Sequence, residues 1–280
     1  MPQPSNPSQP VSGMPASRRF FRRVKSAVLR FEPLYRFYLR CKCGAGRLSL
    51  PPDGSLPNCV LQSRSEWQEV ARRAKELHMP LHRAEEKNWD HLAAVHAIAN
   101  TCPASACVLD AGAEFYSNIL PALFLCGFSQ LYGINLALPD PARRGPIRYL
   151  PGDMTRSGFP GSFFDAVTCM SVIEHGVPLH AYFREMFRVL KPGGILITST
   201  DYYPDPIETR NQYAHGAPVK IFSRREAEEM LALAAECGFE STGPIDLDCS
   251  ERPIRWELYN LDFTFLIFTL RKPMAALQAR

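Results

Sequence analysis

From Ala106 onward the chain alternates short apolar runs with segments of helical period, and that alternation constrains the fold more than any single residue. Cys107–Asp110, Gln130–Asn135, Ile147–Leu150, Ala166–Ser171 and Ile195–Thr200 are brief, largely apolar and read as strands. Ser117–Cys126 and Leu179–Leu190 read as helices. In the second, Phe183, Met186, Phe187 and Leu190 fall at i, i+3, i+4 and i+7, the spacing of one buried face, and Pro192-Gly193-Gly194 stops it. Strand, helix and strand in repetition predict an α/β fold, a parallel sheet with helices on both faces. Ser223 and Glu226 form a capping box for a further helix running to Cys237-Gly238. Phe263–Leu270, apolar almost throughout, has the composition of a strand covered on both sides.

A chain of 280 residues with 46% hydrophobic content can bury a full core, so one large domain with an appendage is expected. The appendage is N-terminal. Residues 1–17, rich in Pro, Ser and Gln, lack apolar periodicity and are expected to form a disordered tail. Residues 18–62 are expected to form a basic amphipathic helix and linker. There Phe20, Phe21, Val24, Ala27, Val28 and Phe31 recur at helical spacing among Arg18, Arg22, Lys25 and Arg30, and Pro-Pro-Asp-Gly at 51 to 54 marks a loop. Residues 63–280 are expected to form the main domain. It opens with a helical cap over 63–103 that holds helices near Glu66–His78 and Trp89–Asn100, the second with Asn88 or Asp90 as its N-cap.

Lys and Arg outnumber Asp and Glu by 32 to 28, yet ten of those cations lie in residues 1–47 against one acid, Glu32. The body is therefore mildly acidic, which argues against nucleic acid as an obligate partner. The arm, with an apolar face and basic flanks, suits peripheral contact with an anionic membrane through residues 18–40, or a helix packed on the main domain with a solvated basic side. No run of about 18 uncharged apolar residues occurs and the basic start lacks a secretory signal's apolar core, so a cytoplasmic location is expected. Nine cysteines, an odd number spread through apolar segments, suit reduced thiols. Cys41, Cys43 and Cys59 could supply three zinc ligands, but no fourth stands at finger-like spacing and no metal is expected.

In an open parallel sheet, ligands bind at the carboxyl ends of the strands, near the point where strand order reverses. Those ends hold Asp110 with Gly112, Asn135, Asp153, Ser171–His175 and Asp201–Tyr203. Between Val108 and Asp201 stand V-L-D-A-G, L-Y-G-I-N, G-D-M-T, F-F-D-A-V-T-C-M-S-V-I-E-H and V-L-K-P-G-G-I-L-I-T-S-T. In this order and spacing the set resembles the class I S-adenosylmethionine-dependent methyltransferases, of the group similar to small-molecule methyltransferases. The G-x-G-x-x-G of a nicotinamide-binding domain is absent. The resemblance implies a Rossmann-like doubly wound sheet, mostly parallel with an antiparallel last strand, plus N-terminal helices. It also implies S-adenosylmethionine as cofactor. Asp110 and Gly112 would then form the turn beneath its methionine part, Asn135 would meet the ribose hydroxyls, Asp153 and Met154 the adenine, and Ser171 the cofactor's edge.

Two positions depart from the family's pattern. A carboxylate usually ends the second strand and grips both ribose hydroxyls, where this chain has the neutral Asn135. Ala113-Glu114 replaces Cys-Gly or Ser-Gly, narrowing the room for the methionine tail, and Glu114 is the residue able to take over what Asn135 gives up. A degenerate, binding-only relative of the fold is the alternative that these departures raise.

Methyl transfer is an in-line displacement at a sulfonium carbon, so the protein mainly aligns the reactants and excludes water. Where the acceptor must lose a proton, His175 is the candidate base and Glu174 its neighbour, unless the pair merely starts the next helix. Acceptor recognition is expected outside the common core, from Lys87-Asn88-Trp89, Asp201-Tyr202-Tyr203-Pro204, His215 and Arg255-Trp256 with Tyr259. Trp89, Tyr202, Tyr203 and Trp256 are the candidate acceptor-binding side chains, suited to stacking a polar ring. S-T-D-Y followed by an aromatic residue is similar to bacterial methyltransferases of sugars and cell-surface polymers, which implies a small-molecule or sugar-linked acceptor.

Overall fold

In the computed structural model, which describes residues 27–44, 46–51, 55–214 and 216–274, a ten-stranded sheet organises the chain. The expected tail, the first part of the basic arm and His215 lie outside the described residues. The N-terminal part comprises α1 (Glu32–Cys43), β1 (Cys59–Val60), α2 (Arg64–Glu76), a 3-10 turn at Glu85–Lys87 and α3 (Asn88–Thr101). Then come β2 (Cys107–Ala111), α4 (Ile119–Leu125), β3 (Gln130–Asn135), β4 (Ala142–Arg144), β5 (Ile147–Pro151), β6 (Phe164–Met170), α5 (Leu179–Val189) and β7 (Leu190–Tyr202). A small hairpin of β8 (Tyr213–Ala214) and β9 (Ala217–Pro218) precedes α6 (Arg224–Glu236) and β10 (Glu240–Ser241). The described chain closes with β11 (Ile254–Trp256), a 3-10 turn at Glu257–Tyr259 and β12 (Leu261–Arg271).

Across the sheet the strands run β1-β12-β7-β6-β2-β3-β5-β4, with β10 and β11 also paired to β12. Neighbours among β7, β6, β2, β3 and β5 are parallel, whereas β12 runs antiparallel to β7 from Thr264 opposite Tyr202 to Arg271 opposite Ile195. The fold is thus α/β, Rossmann-like and doubly wound, mostly parallel with an antiparallel last strand. The chain builds outward from β2 through β3 to β5 and returns to β6 on the other side of β2, so strand order reverses between β2 and β6. There Asp110 lies in register with Thr168, whose Oγ1 donates to Asp110 Oδ1 at 2.8 Å.

Successive residues of β2 serve opposite faces, as the pleat requires. Val108 joins Leu131, Ile197 and Phe265 beneath Tyr35 of α1, Val95 and Ile98 of α3 and Leu123 of α4. Leu109 joins Val167, Leu196 and Phe268 beneath Tyr182, Phe183 and Met186 of α5 and Met230 of α6. A strand covered on both sides has no polar face, which is why these segments read as continuous apolar runs.

α5 ends at Val189, and Leu190 begins a strand rather than finishing the helix. Pro192 cannot donate an N–H to continue the helix, and the chain enters β7 through Lys191–Gly194 with a register shift opposite Phe164–Ala166. In α6 the capping box is present, with Glu226 Oε2 accepting from Ser223 N at 2.9 Å. α3 differs from expectation, since Lys87 holds its cap position without a side-chain bond. Asn88 Oδ1 accepts instead from His82 N at 2.9 Å, and buried Asp90 accepts from Ser199 Oγ at 2.5 Å, so tertiary contacts take both expected caps.

The arm is interrupted within the described residues. Ala27–Leu29 is helical, the chain bends at Arg30 and Phe31, and Pro33 in the first turn opens α1. α1 docks beside the β4–β5 hairpin, where Gly145 N donates to Leu29 O at 2.8 Å and Tyr35 stacks on Phe124 at 5.7 Å. Val28, Phe31, Leu34 and Phe37 stay exposed. Cys59–Val60, expected in a linker, pairs with Ile267 and Leu266 of β12, so the sheet begins before residue 63. Cys41 and Cys43 lie on α1, and among the described residues no group of three or more His, Cys, Asp or Glu side chains could hold a metal ion. No helix of the described residues is long and apolar enough to cross a membrane.

Candidate functional site

The carboxyl ends of β2, β3, β5, β6 and β7 open into one cavity of 760 Å³. Asp110, Gly112, Glu114, Asn135, Asp153, Met154 and Ser171 line it together with Glu174, His175 and Trp256. At the β2 end, Gly112 has φ +97°, and a Cβ there would lie 2.5 Å from Val172 Cγ2, so the bare backbone is a steric requirement. Ala113 turns away into the core. A Cβ on Gly133 of β3 would meet Ala113 Cβ at 2.8 Å, so the alanine methyl fills the space that Gly133 leaves and does not narrow the cavity as expected.

Asn135 is used at both ends of its amide. Its Nδ2 donates to Gly112 O at 2.8 Å and its Oδ1 accepts from Ala137 N at 2.8 Å, bracing the Gly112 turn against the end of β3. Glu114 N donates to Ser117 Oγ at 2.9 Å, and burial together with the Glu114 carboxylate pushes the Tyr116 phenol up to about 12. Asp153 Oδ1 accepts from both Thr155 N and Thr155 Oγ1 at 2.8 Å, an Asx turn that leaves Met154 packed at the cavity wall. Asp110 is buried, and desolvation pushes its carboxyl up to about 7 against the opposing hydrogen bond from Thr168.

The other end of the cavity is built around a half-buried lysine. Lys87 Nζ donates to Ser171 Oγ at 2.6 Å and lies 3.5 Å from Asp201 Oδ1 at the end of β7. Burial alone would lower its pKa, but Asp201, Asp90 and Glu174 outweigh that and hold the ammonium protonated. Glu174 accepts from Thr200 Oγ1 at 3.1 Å, and burial, then the nearby Asp201, pushes its carboxyl above the usual range. Burial lowers the pKa of both His82 and His91, whose rings meet edge to face at 5.4 Å on the cavity wall. Ile254, Trp256, Phe263 and Phe265 supply an apolar wall.

Three expected acceptor-binding residues are elsewhere. Trp89 is buried in the core with its Nε1 donating to Glu66 Oε1 at 2.7 Å, and Tyr202 is buried with its hydroxyl donating to Leu247 O at 2.8 Å. Tyr203 sits beneath the Arg252 guanidinium, 4.1 Å from its ring centre. None of the three lines the cavity. Within Lys87-Asn88-Trp89 and Asp201-Tyr202-Tyr203 it is the charged residue, not the aromatic one, that reaches the site. Aromatic residues at an element's start are as readily consumed by the core.

A family profile described as a methyltransferase domain matches residues 111–198. Over residues 111–198, just under a third of its length, the chain is thus similar to a methyltransferase domain. Sterol 24-C-methyltransferase of Debaryomyces hansenii is 31% identical over 119 residues, covering 39% of this chain and 31% of the relative. The Aspergillus fumigatus sterol 24-C-methyltransferase is 39% identical over 116 residues, with the same coverage of 39% and 31%. The chain thus spans about a third of the length of these curated relatives. Among solved structures, the [4+2]-cyclase SpnF superposes with a TM-score of 0.49 at 18% identity over 82% of this chain and 99% of its own.

Proposed function

We propose that the chain transfers a methyl group from S-adenosylmethionine to a polar small-molecule or sugar-linked acceptor. The observation that carries this reading is that the motif-bearing turns line a single cavity that continues past them to Ser171, Glu174, His175 and Asp201. The residues fit the cofactor. Gly112 leaves bare backbone for its methionine part, and the carboxyl groups of Asp110, Glu114 and Asp153 suit a ligand carrying ammonium and sulfonium charge. Asn135 and Glu114 would serve the ribose side, and Asp153 with Met154 the adenine. When bound, the cofactor supplies an electrophilic methyl group; alignment, exclusion of water and removal of any acceptor proton fall to the protein. The base role falls to His175, which lines the cavity beside Glu174.

The test is release of S-adenosylhomocysteine by the full chain from S-adenosylmethionine across hydroxyl- and amine-bearing small molecules and sugar nucleotides. Acceptor-dependent release is expected, falling by about a hundredfold in His175→Ala, the usual contribution of a general base. A second reading, an apolar ring acceptor, is favoured by the wall of Ile254, Trp256, Phe263 and Phe265 and by relatives named for sterol methylation. A sterol in the same panel separates the two. The arm is proposed to hold the protein at an anionic membrane surface, supported by exposed Val28, Phe31, Leu34 and Phe37 beside the basic arm.

A further inference from the structure

Lys87 reaches the cavity from the helical cap rather than from the sheet, at the end of the 3-10 turn that leads into α3. Its ammonium joins three partners: the Ser171 hydroxyl at 2.6 Å, the Asp201 carboxylate at 3.5 Å and the Phe265 ring, 3.8 Å from the centroid. Three donors on one nitrogen let it serve the hydroxyl and the carboxylate together, and the ring face favours a cation. Ser171 holds a left-handed backbone at φ +51°, a conformation costly for serine that persists only where its surroundings enforce it. Two contacts enforce it here: Ser199 O accepts from Ser171 N at 3.0 Å and Lys87 grips Ser171 Oγ. The next residue, Val172, is the one whose methyl closes against Gly112. An unbroken path therefore runs from Lys87 through Ser171 and Val172 to the turn under the cofactor.

We propose that Lys87 is a positioning residue for the cofactor end of the cavity: by holding Ser171 Oγ and Asp201 from the cap, it fixes the Ser171–Val172 turn against Gly112. The proposal rests on the S-adenosylmethionine reading above. Lys87 need not touch the cofactor, because its effect travels through Ser171. Charged groups facing it come from every side: Asp201 at the end of β7, Asp90 on α3, Glu174 after β6 and Glu86 in its own turn.

The test is calorimetric titration of the full chain with S-adenosylhomocysteine in four variants beside the wild type. Lys87→Met and Ser171→Ala each weaken binding by about tenfold, the size of one charge-assisted hydrogen bond. Lys87→Met/Ser171→Ala binds no more weakly than Lys87→Met, because both changes cut the same path. Lys87→Met/Asp201→Asn removes the buried charge pair together, which guards against simple unfolding, and stays about tenfold weak. Wild-type affinity in Lys87→Met, multiplication of the two single effects, or restored affinity in Lys87→Met/Asp201→Asn would each overturn the proposal. A wild-type chain that binds no S-adenosylhomocysteine overturns the cofactor reading first and the proposal with it.

Discussion

Asn135 donates to the carbonyl of Gly112 and accepts from the amide of Ala137, two opposite demands that a carboxylate cannot meet. An aspartate would turn an acceptor toward another acceptor. Asn135→Asp, although it supplies the residue usual in the family, is therefore expected to lower stability by about 1 kcal/mol, read from urea unfolding. Gly112→Ala combines a disfavoured φ with a collision against Val172, and calorimetry is expected to show loss of S-adenosylhomocysteine binding by at least tenfold, about the 1–3 kcal/mol of such strain. Asp110 sets a pH dependence. Its folded pKa of about 7 lies above the unfolded value near 4, so between the two the folded state holds the extra proton and stability falls as pH rises. Urea midpoints between pH 5 and 7.5 should show this fall, with a slope of up to about 1.4 kcal/mol per pH unit, and a shallower one in Asp110→Asn. Glu174, also raised by burial, contributes in the same direction and remains in the variant. Asp110 and Gly112 were legible because a strand-end turn has few solutions. The use of Asn135 was not, since its partners are chosen by the packing of β2 on β3.

The elements divide by whether local chemistry or tertiary pairing makes them. The capping box of α6 is local and legible in Ser223 and Glu226 alone; Glu226→Ala is expected to cost about 1 kcal/mol in thermal or urea unfolding. β1 is two residues long and exists only because β12 offers an edge, so no periodicity announces it. In the arm, helical spacing of apolar residues runs as far as Phe31, and the second helix that Pro33 opens at Glu32–Cys43 lies beyond that pattern. Its exposed side keeps Phe31 and Phe37. Phe31→Ser/Phe37→Ser in the full chain is expected to reduce co-sedimentation with phosphatidylglycerol vesicles by about tenfold, the apolar burial of two rings being worth more than this. Equal sedimentation would assign that face another role.

At the scale of the molecule, the cofactor side of the cavity comes from consecutive strand ends and was readable as a run of motifs. The far side gathers Lys87 from the cap, Asp201 from β7 and Phe265 from β12, and no sequence window contains all three. Its acidic groups and the Lys87 ammonium meet only once folded, so the sequence offers Lys87 and Glu174 as candidates but not their juxtaposition. Every role assigned to these residues requires that the cavity take the cofactor. Titrating the full chain with S-adenosylhomocysteine, and separately with NADH, tests this directly. Saturable binding of one S-adenosylhomocysteine per chain, lost in Gly112→Ala, with no heat from NADH, is the result predicted; no binding of S-adenosylhomocysteine, or binding indifferent to Gly112→Ala, would contradict it.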